Sequence, residues 1–212
     1  MKNEIVQTQP SEPKLAKTKK LMGVTHKILN NRTKIAVKKE AKALVQPLIT
    51  GRYRDEGNGT VTDITTNLQW QRFHVGQRWE NKSVVGESDR MNFDQGAEAA
   101  QQCNYSGYTD WRVPTIGEIQ SLVYSSTGFP KTWNDTGGGC EGYYQKPTLC
   151  LEAFPWSDLD DQEDKYWDSI VWSSSPLADD SGSAWGVYFS GGGTGSYDRS
   201  NSIYVRLVRS GQ

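Results

Sequence analysis

The sequence is short of cysteine, histidine and long apolar stretches, and each shortage excludes a class of protein. Only three Cys and two His are available for metal binding or nucleophilic chemistry. No apolar run approaches the roughly 18 residues that a membrane-spanning helix needs, so we expect no membrane span. The first fifty residues also show no apolar segment of the kind found in secretory signal peptides.

Charge and aromatic residues divide the chain into two parts. Residues 1–51 carry eleven Lys and Arg against three Glu, a net charge of +8, and contain no Phe, Trp or Tyr. Residues 52–212 carry thirteen basic and twenty-two acidic residues, a net charge of −9, and hold all eight Trp. We therefore predict a basic N-terminal arm or linker, residues 1–51, and a folded domain, residues 52–212.

The basic arm (residues 1–51) is predicted to be partly helical. Its start is polar and Lys-rich, which favours disorder, and an interrupted near-heptad apolar pattern follows from Leu21. Three roles stay open: a solvated linker, an oligomerising helix that anchors the chain in a larger assembly, or a basic surface for nucleic acid or another anion. The lack of aromatic side chains to stack on bases argues against nucleic acid.

Local patterns predict two helices in the folded domain. The stretch 93–103, "FDQGAEAAQQC", places its apolar residues on one helical stripe. Thr115 followed by Glu118 forms a capping-box pattern, and the apolar spacing after it predicts a helix of about three turns. Trp111 and Arg112, just before this second helix, are not needed to start it.

Turn and alternation patterns predict the strands. Gly57-Asn58-Gly59 indicates a hairpin, and Thr65–Asn67 a second turn before an alternating strand at Leu68 and Trp70. Near the end, "IVWSSSP" predicts a strand that Pro176 terminates, while "AWGVYFSGG" and "SIYVRLVR" alternate as two further strands. Two helices followed by antiparallel strands and long loops predict an α+β domain.

Two features suggest stabilising or metal-binding chemistry. A disulfide between Cys140 and Cys150 would contribute roughly 2–3 kcal/mol, although two free thiols are an open alternative. Zinc is excluded there, because no His lies nearby.

The acidic stretch 157–164, "SDLDDQED", offers hard oxygen ligands for Ca²⁺. Two alternatives stay open: the stretch is a solvated loop, or it holds the basic arm electrostatically. The proposed ligands are Asp158, Asp160, Asp161, Glu163 and Asp164.

The sequence predicts a binding protein and no enzyme. His26 lies in the arm, so His74 alone cannot complete a Ser-His-Asp or zinc set, and we assign no catalytic residue. The stretch 181–202 combines Ser, Gly and Asn with aromatic anchors, which is typical of contact loops. A hairpin with no partner is the alternative. The candidate ligand-binding residues are Tyr188, Tyr197, Asp198, Arg199, Asn201 and Tyr204.

Several motifs, taken in order, resemble the Lcl C-terminal domain family, which is named after a collagen-like adhesin. They are "GNGTVTD" at 57–63, "LQW" at 68–70, "YTDWRVPT" at 108–115, "IQSLV" at 119–123, "WSSSP" at 172–176, "AWGVYF" at 184–189 and "YVRLVR" at 204–209. The resemblance implies a C-type-lectin-like fold that binds a glycan or protein ligand at a cell surface or outside the cell. Because no signal peptide is visible, a cytoplasmic location is the alternative.

The resemblance also assigns structural roles and an alternative function. It implies that Trp111 is a core side chain and that Arg112 pairs with backbone carbonyls or an acid. Members often carry a Cys where this chain has Leu207, so Cys103 is expected to be a free, buried thiol. Formylglycine-generating enzymes have a distantly similar architecture, but they need reactive cysteines late in the chain, and none follows Cys150.

Overall fold

The computed structural model describes residues 47–124, 148–156 and 167–211, and the structure is given for these ranges. Within them the chain forms eleven strands and two α-helices. The strands are β1 Tyr53–Asp55, β2 Thr60–Asp63, β3 Leu68–Gln71, β4 Arg78–Glu80, β5 Ser83–Val85, β6 Arg90–Met91, β7 Ile170–Leu177, β8 Asp180–Tyr188, β9 Gly193–Asp198, β10 Ile203–Tyr204 and β11 Val208–Ser210. The helices are α1 Phe93–Gln102 and α2 Ile116–Gln120.

The strands form three sheets, and nearly all of their pairings are antiparallel. One sheet has the order β1-β2-β3-β11, a larger one the order β6-β10-β7-β8-β9, and β4 pairs with β5 alone. Only the contact between β10 and β7 is parallel among the described pairings. Two helices beside mostly antiparallel sheets confirm the predicted α+β class.

The first turns form where the sequence predicts them, because each is stabilised locally. β1 and β2 pair as a hairpin across the Gly57–Gly59 turn, in which both glycines have positive φ. In the turn between β2 and β3, the Asp63 carboxylate accepts hydrogen bonds from the Thr65 N–H and hydroxyl at 2.9 and 2.7 Å. Such Asx contacts need no distant partner, which is why the sequence alone predicts them.

Both helices begin at capping boxes. Asn92 and Gln95 cap α1, which confirms the predicted first helix. At α2, the Thr115 hydroxyl accepts from the Glu118 N–H at 3.3 Å, and the Glu118 carboxylate accepts from the Thr115 N–H at 2.8 Å. The predicted length of about three turns is wrong, since α2 has five residues. The chain leaves the helix because Val123 bridges to Leu149.

Trp111 and Arg112 are structural, as the resemblance implies. The Trp111 ring is buried, and its indole N–H donates to the Tyr105 carbonyl at 3.0 Å. The Arg112 guanidinium makes a forked ion pair with Glu118, with both N···O distances at 2.6 Å. This pairing lowers the pKa of the Glu118 carboxyl. The turn before α2 is thus held by one buried ring and one forked ion pair.

Two predicted strand limits near the end of the chain are wrong. Pro176 does not end β7, which runs to Leu177 with an irregular register between Trp172 and Pro176. The predicted strand at 202–209 is divided into β10, which pairs with β6 and β7, and β11, which pairs with β3. Every residue from Ile203 to Arg209 is buried, because this segment passes between two sheets.

The core consists of two apolar clusters on opposite faces of the five-stranded sheet. Along β7, Val171 belongs to one cluster, while Ile170 and Trp172 belong to the other. The compact unit begins at Pro47, slightly before the predicted domain start at residue 52, and Ile49 packs against its core. In the part of the chain that the structure describes, no helix is long and apolar enough to cross a membrane.

Candidate functional site

One face of the five-stranded sheet carries a row of aromatic rings. The register pairs Ala184 with Tyr197 and Tyr188 with Gly193, so these residues share a face. Trp172 of β7 lies on the same face, because it pairs with Gly186. Its ring centroid lies 6.2 Å from that of Tyr197 and 5.7 Å from that of Phe93 in α1.

The row ends at the surface with Trp167. This residue begins the 3₁₀ turn Trp167–Ser169 that leads into β7, and its side chain is 54% exposed. Its ring packs edge-on against Tyr197, with the centroids 5.9 Å apart. We call Trp167, Tyr188 and Tyr197 the aromatic platform. An exposed Trp supported by buried rings is pre-organised for contact with a partner.

Glycines make room for the platform rings. A Cβ atom at Gly195 would lie 2.8 Å from the Tyr197 hydroxyl oxygen, and one at Gly186 would lie 3.1 Å from the Tyr197 ring. A Cβ at Gly193 would overlap the Tyr188 ring. The two tyrosine rings therefore lie over backbone that carries no side chains.

A polar turn follows the platform in the chain. We call residues Asp198–Asn201, between β9 and β10, the polar turn. The Asp198 carboxylate accepts from the hydroxyl and N–H of Ser200 at 2.6 and 2.8 Å, and chiefly the hydroxyl contact lowers the pKa of this carboxyl. The Asn201 N–H donates to the Asp198 carbonyl. These contacts keep the Asp198 carboxylate ionised and the turn closed.

Arg199 joins the polar turn to the start of α1. Its guanidinium donates to the Asp94 carboxylate at 2.6 Å and lies 4.3 Å from the Phe93 ring centroid. The backbone contributes as well, because the Phe93 N–H donates to the Arg199 carbonyl at 3.0 Å. The polar turn is therefore joined to the aromatic row through the Phe93 ring, which packs on Trp172.

The structure divides the predicted ligand-binding residues. Asp198, Arg199 and Asn201 lie on the polar turn, and Tyr188 is half-buried on the platform. Tyr197 is only 5% exposed, so the expectation that its ring forms an open plate is corrected: the ring supports Trp167 from below. Trp167 was missed, although a Trp between an acidic stretch and an apolar strand could have indicated it.

Tyr204 is separated from this surface. It is 5% exposed, belongs to the opposite core cluster, and its ring stacks on His74 with centroids 5.1 Å apart. Sequence analysis grouped Tyr204 with Tyr197 as candidate ligand-binding residues of the late loops. The turn between β9 and β10 carries the chain into another strand, whose pairing buries the ring.

The Tyr204 ring borders a buried Arg206–His74 pair. Arg206 is 1% exposed; its guanidinium donates to the Gln71 carbonyl at 3.1 Å and lies 3.0 Å from His74 Nε2. Burial lowers the pKa of Arg206 to about 9. Burial, and then the charge of Arg206, hold the pKa of His74 well below its usual value. His74 is therefore a neutral acceptor, and the enclosed pair is structural.

Two grooves flank α1. One, of about 430 Å³, is lined in part by Trp111, Arg112 and Glu118, and its ion pair is already formed. The other, of about 340 Å³, contains Cys103, whose sulfur accepts from the Gln71 amide at 3.3 Å. Cys103 is a free thiol, as predicted, but it is half-buried rather than buried.

Two other predicted sites involve residues outside the described ranges. Cys150 is buried, with its sulfur 3.8 Å from the Thr50 hydroxyl, while Cys140 is outside those ranges, so their disulfide stays a prediction. The five proposed calcium ligands between Asp158 and Asp164 also lie outside them. Among the described residues, no cluster of three or more His, Cys, Asp or Glu is placed to hold a metal.

Comparison with known proteins identifies the family. A search of curated proteins found no match. A family model described as the Lcl C-terminal domain matches residues 59–209, which run from the turn before β2 through both helices into the last strand. The chain therefore belongs to the Lcl C-terminal domain family.

Proposed function

We propose that the chain is a non-catalytic recognition module with a C-type-lectin-like fold, which binds a glycan or a protein through the aromatic platform and the polar turn. The observation that carries the proposal is Trp167, a 54% exposed indole supported from below by Tyr197. Aromatic and arginine side chains dominate binding energy where a partner covers them. Family membership supports a location at a cell surface or outside the cell.

The surface chemistry suits a ligand with both apolar and polar faces. A flat indole covers an apolar patch, such as the face of a sugar ring or an aliphatic side chain. The polar turn, which follows Tyr197 in the chain, adds the Asp198 carboxylate and the Arg199 guanidinium as hydrogen-bonding groups. We assign no catalytic role to these residues, because their function here is contact and orientation.

A glycan array and a pull-down with the full chain would test this function. We expect Trp167→Ala to weaken binding at least tenfold, about 1.4 kcal/mol. Trp185→Ala is the matched control, since Trp185 is half-buried and, as a neighbour of Ala184 and Gly186, points to the opposite face of the same sheet. Equal losses in both variants, or no loss with Trp167→Ala, would contradict the proposed site.

The charge of the basic arm supports a second function. With a net charge of +8, the arm could anchor the chain as a structural subunit of a larger assembly. Limited proteolysis of the purified chain and of native material would distinguish this role. Cleavage within residues 1–46 in the purified chain, with protection in native material, supports anchoring; equal cleavage in both contradicts it. A formylglycine-generating-type enzyme is the least supported alternative.

A further inference from the structure

The five-stranded sheet ends on β9, and this edge differs from the other sheet edges. Natural edge strands are usually short, charged, bulged or interrupted by Pro, which prevents pairing with other chains. The opposite edge, β6, has two residues, and β1 and β11, at the edges of the four-stranded sheet, have three residues and an Arg each. β9 has six residues and pairs regularly with β8 throughout, and its only charge is Asp198 at the end.

The alternation of hydrogen bonds between β8 and β9 shows which backbone groups of β9 point away from β8. The Arg199 N–H donates to the Gly182 carbonyl at 2.8 Å, which fixes the alternation along the strand. Gly193, Gly195 and Tyr197 therefore direct their N–H and C=O groups to β8. Thr194, Ser196 and Asp198 direct theirs away from it, and among the described strands none pairs with this side.

We propose that β9 is an interface at which a second copy of this chain pairs in antiparallel register, about a two-fold axis at Ser196. In this register, Ser196 of each copy exchanges its N–H and C=O groups with Ser196 of the other. The outward N–H of Asp198 donates to the Thr194 carbonyl of the second copy at each end. Gly195 lies opposite Tyr197 in the non-hydrogen-bonded positions between them.

The residues of β9 favour a second copy over an unrelated peptide. The two-fold axis places Gly195 opposite Tyr197 twice, so no two large side chains meet across the pairing. No like charges face each other, because Asp198 lies opposite Thr194. An unrelated peptide would be selected by side-chain pockets, whereas the outward-bonding residues Thr194, Ser196 and Asp198 carry only short polar side chains.

The proposed two-fold axis would also orient the aromatic platforms of the two copies. A two-fold axis perpendicular to the sheet keeps the same face of both copies on one side. Trp167 of each copy would then face the same direction, and a repetitive ligand could contact both. This last step rests on the proposed function, and it predicts higher avidity without any new contact to the ligand.

Sedimentation velocity of the full chain tests the interface. We expect a dimer that increases with concentration in the unmodified chain. Ser196→Pro removes the outward N–H without removing a bond to β8, so it should weaken dimerisation at least tenfold while the melting temperature stays nearly unchanged. Ser196→Ala keeps the N–H and should dimerise normally. A chain that is monomeric up to its solubility limit, or a dimer that tolerates Ser196→Pro, would overturn the proposal.

A cross-link provides an independent measurement if Ser196→Pro fails to fold. Hydrogen-bonded antiparallel partners have Cα atoms about 5.5 Å apart, within the range of a disulfide. Mild oxidation of Ser196→Cys should give a dimer linked through position 196, identified by mass spectrometry. Ser200→Cys, in the exposed polar turn, is the control and should stay unlinked. Equal cross-linking of both variants would overturn the interface, whatever the outcome of the glycan and pull-down assays.

Discussion

Trp167 and Trp172 both pack edge-on against Tyr197, but their environments differ. Trp172 is 1% exposed, and its indole N–H donates to the Met91 carbonyl at 3.0 Å. Trp167, in the 3₁₀ turn that precedes the same strand, is 54% exposed. The same residue type thus forms the core in one position and a contact surface in the next. The comparison shows that tryptophan in this chain lies both in the core and at the surface.

Arginine shows the same division. Arg206 is enclosed and bonded to a backbone carbonyl and a neutral His74, whereas Arg199 lies at the surface beside Asp94. Residue type and sequence distance do not separate these two roles. The fold of the sheet separates them, because Ile203 to Arg209 run through the core whereas Asp198 to Asn201 turn outside it.

The two tryptophans should differ most in stability. We expect Trp172→Ala to lower the free energy of unfolding by about 3–5 kcal/mol, because it empties a fully packed site. Trp167→Ala should lower it by less than about 1 kcal/mol, because much of its ring is already in water. Chemical denaturation of both variants measures the difference. Similar losses would mean that Trp167 is part of the core and would weaken the proposed platform.

The buried pair should make stability depend on pH. The pKa of His74 is lowered in the folded chain, so below about pH 6.5 the unfolded state binds a proton that the folded state does not. The contribution of His74 to stability should therefore be constant above this pH and fall below it, by up to about 1.4 kcal/mol per pH unit. In His74→Gln this part of the slope should disappear. An unchanged slope would show that His74 is not the titrating group.

The capping box of α2 should contribute a smaller amount. Thr115→Ala removes the hydroxyl that accepts the Glu118 N–H and should cost about 1 kcal/mol in thermal or chemical unfolding. Thr66→Ala, at an exposed turn position, is the control and should change stability by less than about 0.5 kcal/mol. If both variants behave alike, the cap does not stabilise the junction at Trp111 and Arg112.

The surface ion pair should contribute least to stability. Asp94 and Arg199 are 80% and 35% exposed, so Asp94→Asn should cost no more than about 0.5–1 kcal/mol, and added salt should reduce the difference. Comparison of unfolding at low and high ionic strength measures this effect. A large, salt-independent loss would show that the polar turn is part of the folded core rather than a contact surface.

The features that sequence analysis predicted are those with local causes. The Thr115–Glu118 capping box, the Gly57–Gly59 hairpin and α1 depend on contacts within a few residues, and all three form as predicted. The predictions at Pro176 and Tyr204 are wrong because distant strands decide them. β7 tolerates Pro176 through an irregular register, and pairing with Val171 buries the Tyr204 ring.

The sequence by itself determined the division between the basic arm and the aromatic domain, the α+β class, the family and the helix starts, since composition, turns and caps act over short distances. Only the tertiary structure decided which aromatic and arginine residues reach the surface. The burial of a side chain depends on which strands pair, and the pattern of hydrophobic residues along the chain does not predict that pairing. Strand pairing therefore left Trp167 and Arg199 at the surface and placed Tyr204 and Arg206 in the core.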